Sequence, residues 1–221
     1  MPKPENIVLV RHGQSIGNAD RKIYRSVPDY AVELTELGRA QAFEAGQTLT
    51  KICPGPAAFY VSPFWRTRQT YLELKKSIPE KKFYEDSRLR EQEWGTNLSE
   101  FRQDFEDERD SYGFYYWRFP SGESCADCED RISSFLNTLF REFEKPDFPN
   151  TAVIVTHGML MRIFLKRFFH MSVEEFEILK NPTNCEFCIL ELQDNKYTLV
   201  TELKKYPSYK HPYQFDWSKQ S

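Results

Sequence analysis

Two stretches of this chain end an apolar run on a histidine followed by a glycine: "IVLVRHG" at Ile7–Gly13 and "TAVIVTHG" at Thr151–Gly158. The chain has four histidines, so two of them in one kind of position form a pattern with chemical content. Arg11 precedes the first, His12, and a second arginine, Arg66, stands one helical turn beyond Ser62, which closes a third apolar run, "AAFYVS". His12, His157, Arg11 and Arg66 gathered at one place would make a pocket for a tetrahedral oxyanion. Arginine suits phosphate because its planar fork donates in pairs and is never neutral. Glycine after each histidine permits a tight turn and close approach of backbone to ligand.

Such residues act together only if the elements carrying them converge. Asn6–Val10, Ala57–Ser62 and Thr151–Thr156 read as short buried strands, and "KKFYED" as a weaker one. Thr35 caps a helix predicted over Thr35–Ile52, with Leu37, Ala40, Phe43, Leu49 and Ile52 on its apolar stripe. Pro63 sits where a first helical turn tolerates proline, and that helix is predicted to about Ser77. Cys125, Cys128, Ile132, Phe135, Leu139 and Phe143 recur every three or four residues and predict a long helix over Ser124–Phe143. A further helix follows over Met159–His170, with His170 as its capping or surface end. "CEFCILEL" and "YTLVTEL", joined by "DN", close the set as a strand pair.

Strands alternating with helices imply the α/β class: a three-layer α/β/α sandwich with a mostly parallel central sheet. A helical and aromatic insert at about 96–120, rich in charge, would cover the site. Open sheets of this class bind ligands beyond the carboxyl ends of their strands, which is where the two histidines and two arginines fall.

The 221 residues suffice for one domain over 1–221 with a sizeable core. Thirty basic against 33 acidic residues, a net charge of −3, argue against a nucleic-acid binder held by bulk charge. No apolar run reaches membrane-spanning length and "MPKPEN" lacks a secretory core, so a cytoplasmic, membrane-free setting is expected. Five cysteines, an odd number, suit reduced thiols. "CADC" and "CEFC" invite a zinc reading, but the first pair lies on a helix face. Cys185 and Cys188 would point to opposite faces of a strand, so core packing is the expectation for all four. Glu123 and Ser124 open a helix, which would serve either as a helix start or to aim backbone N–H groups at an anion. Arg118 would either meet substrate or cover aromatic surface, and the Pro- and Tyr-rich "YPSYKHPYQFDW" reads as a strap on the domain.

The blocks "VRHGQSIGN", "LTELGRAQA", "SPFWRTRQT", "LREQEWG", "FPSGES" and "VTHG", in this order and over nearly the whole chain, resemble the histidine phosphatase superfamily, the phosphoglycerate-mutase-like group. "YYWRFPSGESCADCEDR" and "LKNPTNCE" resemble a phosphatase subgroup of fungi and plants with broad or unassigned substrates. The resemblance implies His12 as nucleophile, with Arg11, Arg66 and His157 on the phosphoryl oxygens and Asn18 as a further phosphate ligand. It implies Glu91 as the acid that protonates the leaving alcohol and later deprotonates water. Gln14, Ser15 and the Gly158 backbone are expected as additional substrate contacts. No cofactor and no metal enters this chemistry, and the expected partner is a small phosphorylated substrate.

The mutases of this group carry a small polar residue where Met159 stands, and their basic insert has no match here. Hydrolysis of phosphate monoesters is therefore the favoured reading. A phosphoglycerate mutase or a phosphatase for one sugar phosphate is the alternative enzyme. A module that only binds phosphorylated ligands is the alternative from another class, against which both His12 and Glu91 speak.

Overall fold

The computed structural model describes residues 3–95, 108–109 and 112–206. Six strands, β1 (Asn6–Arg11), β2 (Ala57–Val61), β3 (Glu80–Glu85), β4 (Thr151–Thr156), β5 (Phe187–Gln193) and β6 (Lys196–Leu199), form one sheet in the order β3-β2-β4-β1-β5-β6. β3, β2, β4 and β1 run parallel; β5 is antiparallel to β1, and β6 to β5. Asp194 and Asn195, both with positive φ (46° and 65°), make the two-residue turn between β5 and β6. That backbone matches the twist of a hairpin and favours Asn and Asp.

Helices cover both faces: α1 (Ile16–Ala19), α2 (Glu36–Ile52), α3 (Trp65–Leu74), α4 (Cys125–Phe143), α5 (Gly158–Phe169) and α6 (Val173–Glu177). Alternate residues of β1 divide the core into two layers. Ile7 and Leu9 join Ile132 and Phe135 of α4, Phe164 of α5 and Phe176 of α6. Val8 and Val10 join Ala42, Ala45 and Leu49 of α2 and Leu74 of α3. A central strand buried on both faces must be apolar throughout, which explains the unbroken runs in β1, β2 and β4.

α4 matches its periodicity: all six residues of its predicted apolar face are buried, and Ser124 caps it. α2 does not. Of its predicted stripe only Leu49 is buried, while Leu37, Ala40, Phe43 and Ile52 are exposed. The face turned inward carries Gly38, Ala42, Ala45, Gly46 and Leu49. Small residues let α2 lie close to the adjoining elements, so contact there is made by backbone rather than by large side chains. Pro63 also falls outside α3, which begins two residues later and ends at Leu74, short of Ser77. Of the short helix expected within 96–120, residues 108, 109 and 112 are helical. The rest of that helix, and the aromatic tail beyond Tyr206, lie outside the described residues.

Two glycines bring the loop after β1 against the first turn of α2. A Cβ on Gly13 would lie 2.3 Å from the Gly38 carbonyl oxygen, and a Cβ on Gly38 would lie 2.0 Å from the Gln14 carbonyl oxygen. No side chain can rotate to relieve a backbone clash of this kind. Gly38→Ala is expected to destabilise by about 1–3 kcal/mol, the usual cost of overpacking, and to lower activity, because the displaced loop adjoins His12. Urea midpoints and turnover of the folded variant check this; an unchanged midpoint would contradict the packing.

Candidate active site

The parallel strands deliver their polar groups at one edge. β1 ends on Arg11 and is followed by His12; Ser62 follows β2; Arg66 lies in the first turn of α3; His157 follows β4 and caps α5. Glu91 lies beyond the short turn Ser87–Leu89 that follows β3.

His12 is 3% exposed. Its Nδ1 is 2.7 Å from the Gly13 carbonyl oxygen, which can only accept, so Nδ1 carries the proton and Nε2 keeps its lone pair. Burial first, then the charges of Arg66 and Arg11, push its pKa well below the usual 6.5. His157 is fully buried, with ring centroids 5.3 Å from His12. Its Nε2 is 2.8 Å from Ser62 Oγ, which already accepts from the Phe64 N–H at 3.4 Å. The direction of that bond follows the imidazole tautomer, and His157 Nδ1 is buried with no hydrogen-bond partner among the described residues. Burial and then Arg66 hold this imidazole neutral too.

Arg11 Nη1 donates to the Pro182 carbonyl at 2.5 Å, while its buried Nε has no partner. Arg66, 3% exposed, grips Asp29: Nη1 is 2.6 Å from the Asp29 carbonyl and 2.8 Å from its carboxylate, and Nη2 is 3.3 Å from the other oxygen. Half-buried Glu91 accepts the Gln92 N–H at 3.0 Å. Burial raises its pKa, against the opposing pull of that hydrogen bond, Arg66 and Arg11.

Asn18 is exposed at the end of α1, and its Oδ1 accepts from the Ser15 N–H (3.1 Å) and from Asn184 Nδ2 (3.0 Å). With the oxygen so held, the Asn18 NH₂ is the end left for a ligand. Gly158 opens α5, whose 12 residues direct their N-terminal N–H groups and positive dipole end to the same edge.

Two further expected contacts also hold local structure. Ser15 is fully buried as the N-cap of α1, its Oγ accepting the Asn18 N–H at 3.2 Å. Gln14 Oε1 accepts from the Thr35 hydroxyl at 2.9 Å, and its backbone N–H donates to Gln41 Oε1 at 3.0 Å; the residue ties the loop to α2. The helix start at Ser124 is a capping box with Asp127. Arg118 pairs with Asp127 while remaining exposed. Cys125 and Cys128 pack in the α4 core, and Cys185 and Cys188 belong to opposite core layers.

The structure adds residues that sequence reasoning did not assign. Asn184 Nδ2 also donates to the His12 carbonyl at 3.2 Å, and Thr70 Oγ1 accepts the Gly13 N–H at 3.0 Å. Asp29 and Tyr24 lie within electrostatic reach of Arg66 and Glu91. In sequence these are ordinary loop and helix residues, and only the fold brings them here.

Strand-end imidazoles, two guanidiniums and a half-buried carboxyl meet on one α/β sheet edge, an arrangement whose chemistry suits a phosphoryl group. The chain belongs to the histidine phosphatase superfamily (branch 1), whose family model matches residues 7–203. It is 39% identical over 218 residues to the phosphoglycerate mutase-like protein AT74H of Arabidopsis thaliana, covering 89% of this chain and 78% of that protein. It is 27% identical over 304 aligned positions to the broad-range acid phosphatase DET1 of Saccharomyces cerevisiae, covering 92% and 91%. The fold is also that of a mycobacterial glucosyl-3-phosphoglycerate phosphatase, with TM-score 0.70, 23% identity and coverage of 90% and 99%.

The buried imidazoles link the site to stability. The folded pKa of His12 lies below the unfolded value near 6.5, so the unfolded chain takes up its proton first. Stability is full above that pH and falls as the pH drops from 6.5 toward the folded value, by about 1.4 kcal/mol per pH unit for each such histidine. His12→Asn should reduce this slope by one proton's worth. Urea midpoints between pH 7.5 and 5.5 check it; parallel slopes for both proteins would contradict a neutral buried His12.

Proposed function

We propose that the chain is a phosphomonoesterase that works through a phosphohistidine, without a metal, on small phosphorylated substrates. One observation carries the reading: His12 is buried, neutral and tautomerically fixed, with the Nε2 lone pair free beside two arginines. In the first step Nε2 attacks phosphorus and the bond to the leaving oxygen breaks, while Glu91 gives that oxygen its proton. In the second, Glu91 takes a proton from water, the water oxygen attacks phosphorus, and the P–N bond breaks to release phosphate. Splitting the displacement in two lowers each barrier. Arg11, Arg66, His157 and Asn18, with the Gly158 N–H, hold the non-bridging oxygens, where charge accumulates in the loose transition state.

Hydrolysis is favoured over mutase chemistry by Met159, which stands where the mutases of the group carry a small polar residue. The yeast relative, a broad-range acid phosphatase, points the same way. No helix among the described residues is long and apolar enough to cross a membrane. Five buried free thiols suit a reducing, cytoplasmic setting.

Acid quench of the enzyme with labelled substrate in EDTA is expected to trap an acid-labile, base-stable adduct that His12→Ala does not form. An adduct of equal yield on the variant would overturn the nucleophile. The same protein with 3-phosphoglycerate and a trace of 2,3-bisphosphoglycerate should release phosphate. Isomerisation outrunning that release would make the enzyme a mutase.

An alkoxide leaves poorly unless a proton arrives with it, whereas p-nitrophenolate leaves without help. A general acid contributes about 10²–10⁴-fold, so Glu91→Gln should slow single-turnover phosphorylation by an alkyl phosphate far more than by p-nitrophenyl phosphate. Equal losses would remove the acid role. On the alkyl substrate the phosphorylation rate should fall as pH rises through the raised Glu91 pKa.

A further inference from the structure

Glu91 stands on a segment that is not a strand or a long helix, and among the described residues its carboxylate has one hydrogen-bond partner, the Gln92 N–H. The place of the carboxyl is therefore set by the backbone that carries it. That backbone is gripped by one side chain from α4. Arg131 is 9% exposed, and its Nη1 donates to the carbonyls of Arg88 (2.5 Å) and Arg90 (2.8 Å). Its Nη2 donates to the carbonyl of Glu91 itself at 3.2 Å. A guanidinium removed from water must find acceptors, and this one finds them along the segment that bears Glu91.

The guanidinium is in turn held in place by Glu123. Arg131 Nε and Nη2 reach the two Glu123 carboxylate oxygens at 3.1 and 3.0 Å, a paired, charge-assisted contact. The same carboxylate accepts from Arg90 Nη2 at 2.7 Å and from the Glu93 N–H at 3.0 Å. The Glu123 N–H also donates to the Glu93 carbonyl at 2.8 Å, and its own carbonyl accepts from Gln92 Nε2 at 2.8 Å. Every residue from Arg90 to Glu93 thus has a bond to Arg131 or Glu123.

We propose that Arg131, locked by Glu123, is the positioning residue for Glu91, fixing where the acid stands relative to the leaving oxygen. The proposal rests on Glu91 being the general acid. It also gives a duty to Glu123 of the "FPSGES" block. Arg131 acts on proton delivery through the backbone and leaves the phosphoryl cradle of Arg11, His12, Arg66 and His157 as it is. A lysine at 131 has one ammonium in place of the fork, so it cannot hold the three carbonyls and the carboxylate together.

The test is the ratio of single-turnover phosphorylation rates for an alkyl phosphate and p-nitrophenyl phosphate. The folded fraction of each preparation cancels in this ratio, so a merely destabilised variant leaves it unchanged. Arg131→Lys is expected to lower the ratio by about 10- to 100-fold, the scale of a displacement near 1 Å at a reacting group. Glu123→Gln should lower it in the same direction, and serves alone if Arg131→Lys does not accumulate as folded protein. In the Glu91→Gln background neither change should lower the ratio further, because the proton they place is gone. If Glu91→Gln lowers the ratio but Arg131→Lys and Glu123→Gln leave it at the parental value, the positioning role is wrong and the acid assignment stands. If Glu91→Gln itself leaves the ratio unchanged, the acid assignment fails and the positioning role falls with it.

Discussion

The site depends on keeping an imidazole uncharged in a field that favours capturing anions. His12 is 3% exposed, and the nearby charges of Arg66 and Arg11 oppose its protonation as burial does. A protonated imidazole has no lone pair to offer, so the same cations that would bind a phosphoryl group also keep the nucleophile free. The Gly13 carbonyl completes the arrangement by claiming the proton on Nδ1. Backbone holds that carbonyl: the Gly13 N–H is tied to Thr70, and Gly13 itself lies against Gly38. The tautomer of one ring is in this way fixed by the packing of α2 and α3 against the loop after β1.

Buried guanidiniums need acceptors even when no ligand is bound, and the fold supplies them from distant parts of the chain. Arg11 reaches the Pro182 carbonyl, and Arg66 reaches the Asp29 backbone and carboxylate. Asp29 retains 30% side-chain exposure, so its pairing with a nearly buried arginine is made at the rim of the site. A half-exposed carboxylate is solvated when released, which lowers the cost of giving part of the fork to a phosphoryl oxygen. The unpartnered Arg11 Nε is the complementary case, a buried donor that no group among the described residues satisfies. Such atoms are costly in a ligand-free protein and favourable once an oxyanion accepts from them.

What could be read from sequence was what each element decides locally. β1 and β4 are recognisable because a strand buried on both faces must be apolar at every position, and His12 and His157 because they end those runs. α4 is recognisable because large side chains mark its inner face. α2 reversed the expectation because its inner face is built from glycine and alanine, which carry little hydrophobic signal, while Leu37 and Phe43 face outward. Gln14 and Ser15, expected as substrate contacts from their place beside His12, also hold a loop and a helix end, which only the fold shows. Asp29 with Arg66, 37 residues apart, and Asn184 with His12, 172 apart, meet only through the topology of the sheet. No local pattern announces such pairs.

The topology also explains why the acid needs a brace that the phosphate ligands do not. In-line displacement places nucleophile and leaving group on opposite sides of phosphorus. The strand ends that carry His12, Ser62 and His157 are neighbours in the sheet, so they gather on one side of the phosphoryl group. A proton donor for the opposite side must come from elsewhere, and the proposed one, Glu91, stands on the chain leaving β3, the edge strand. That chain crosses above β4, where Thr156 Oγ1 donates to the Leu89 carbonyl at 2.8 Å, and then leaves the support of the sheet. Beyond that point its backbone groups have no ladder to join, and a buried segment with unpaired carbonyls is expensive. The Arg131 fork meets those carbonyls where the sheet no longer does. A rigid helix thereby takes over from the strands, and the carboxyl gains a fixed position although the segment bearing it belongs to no long element.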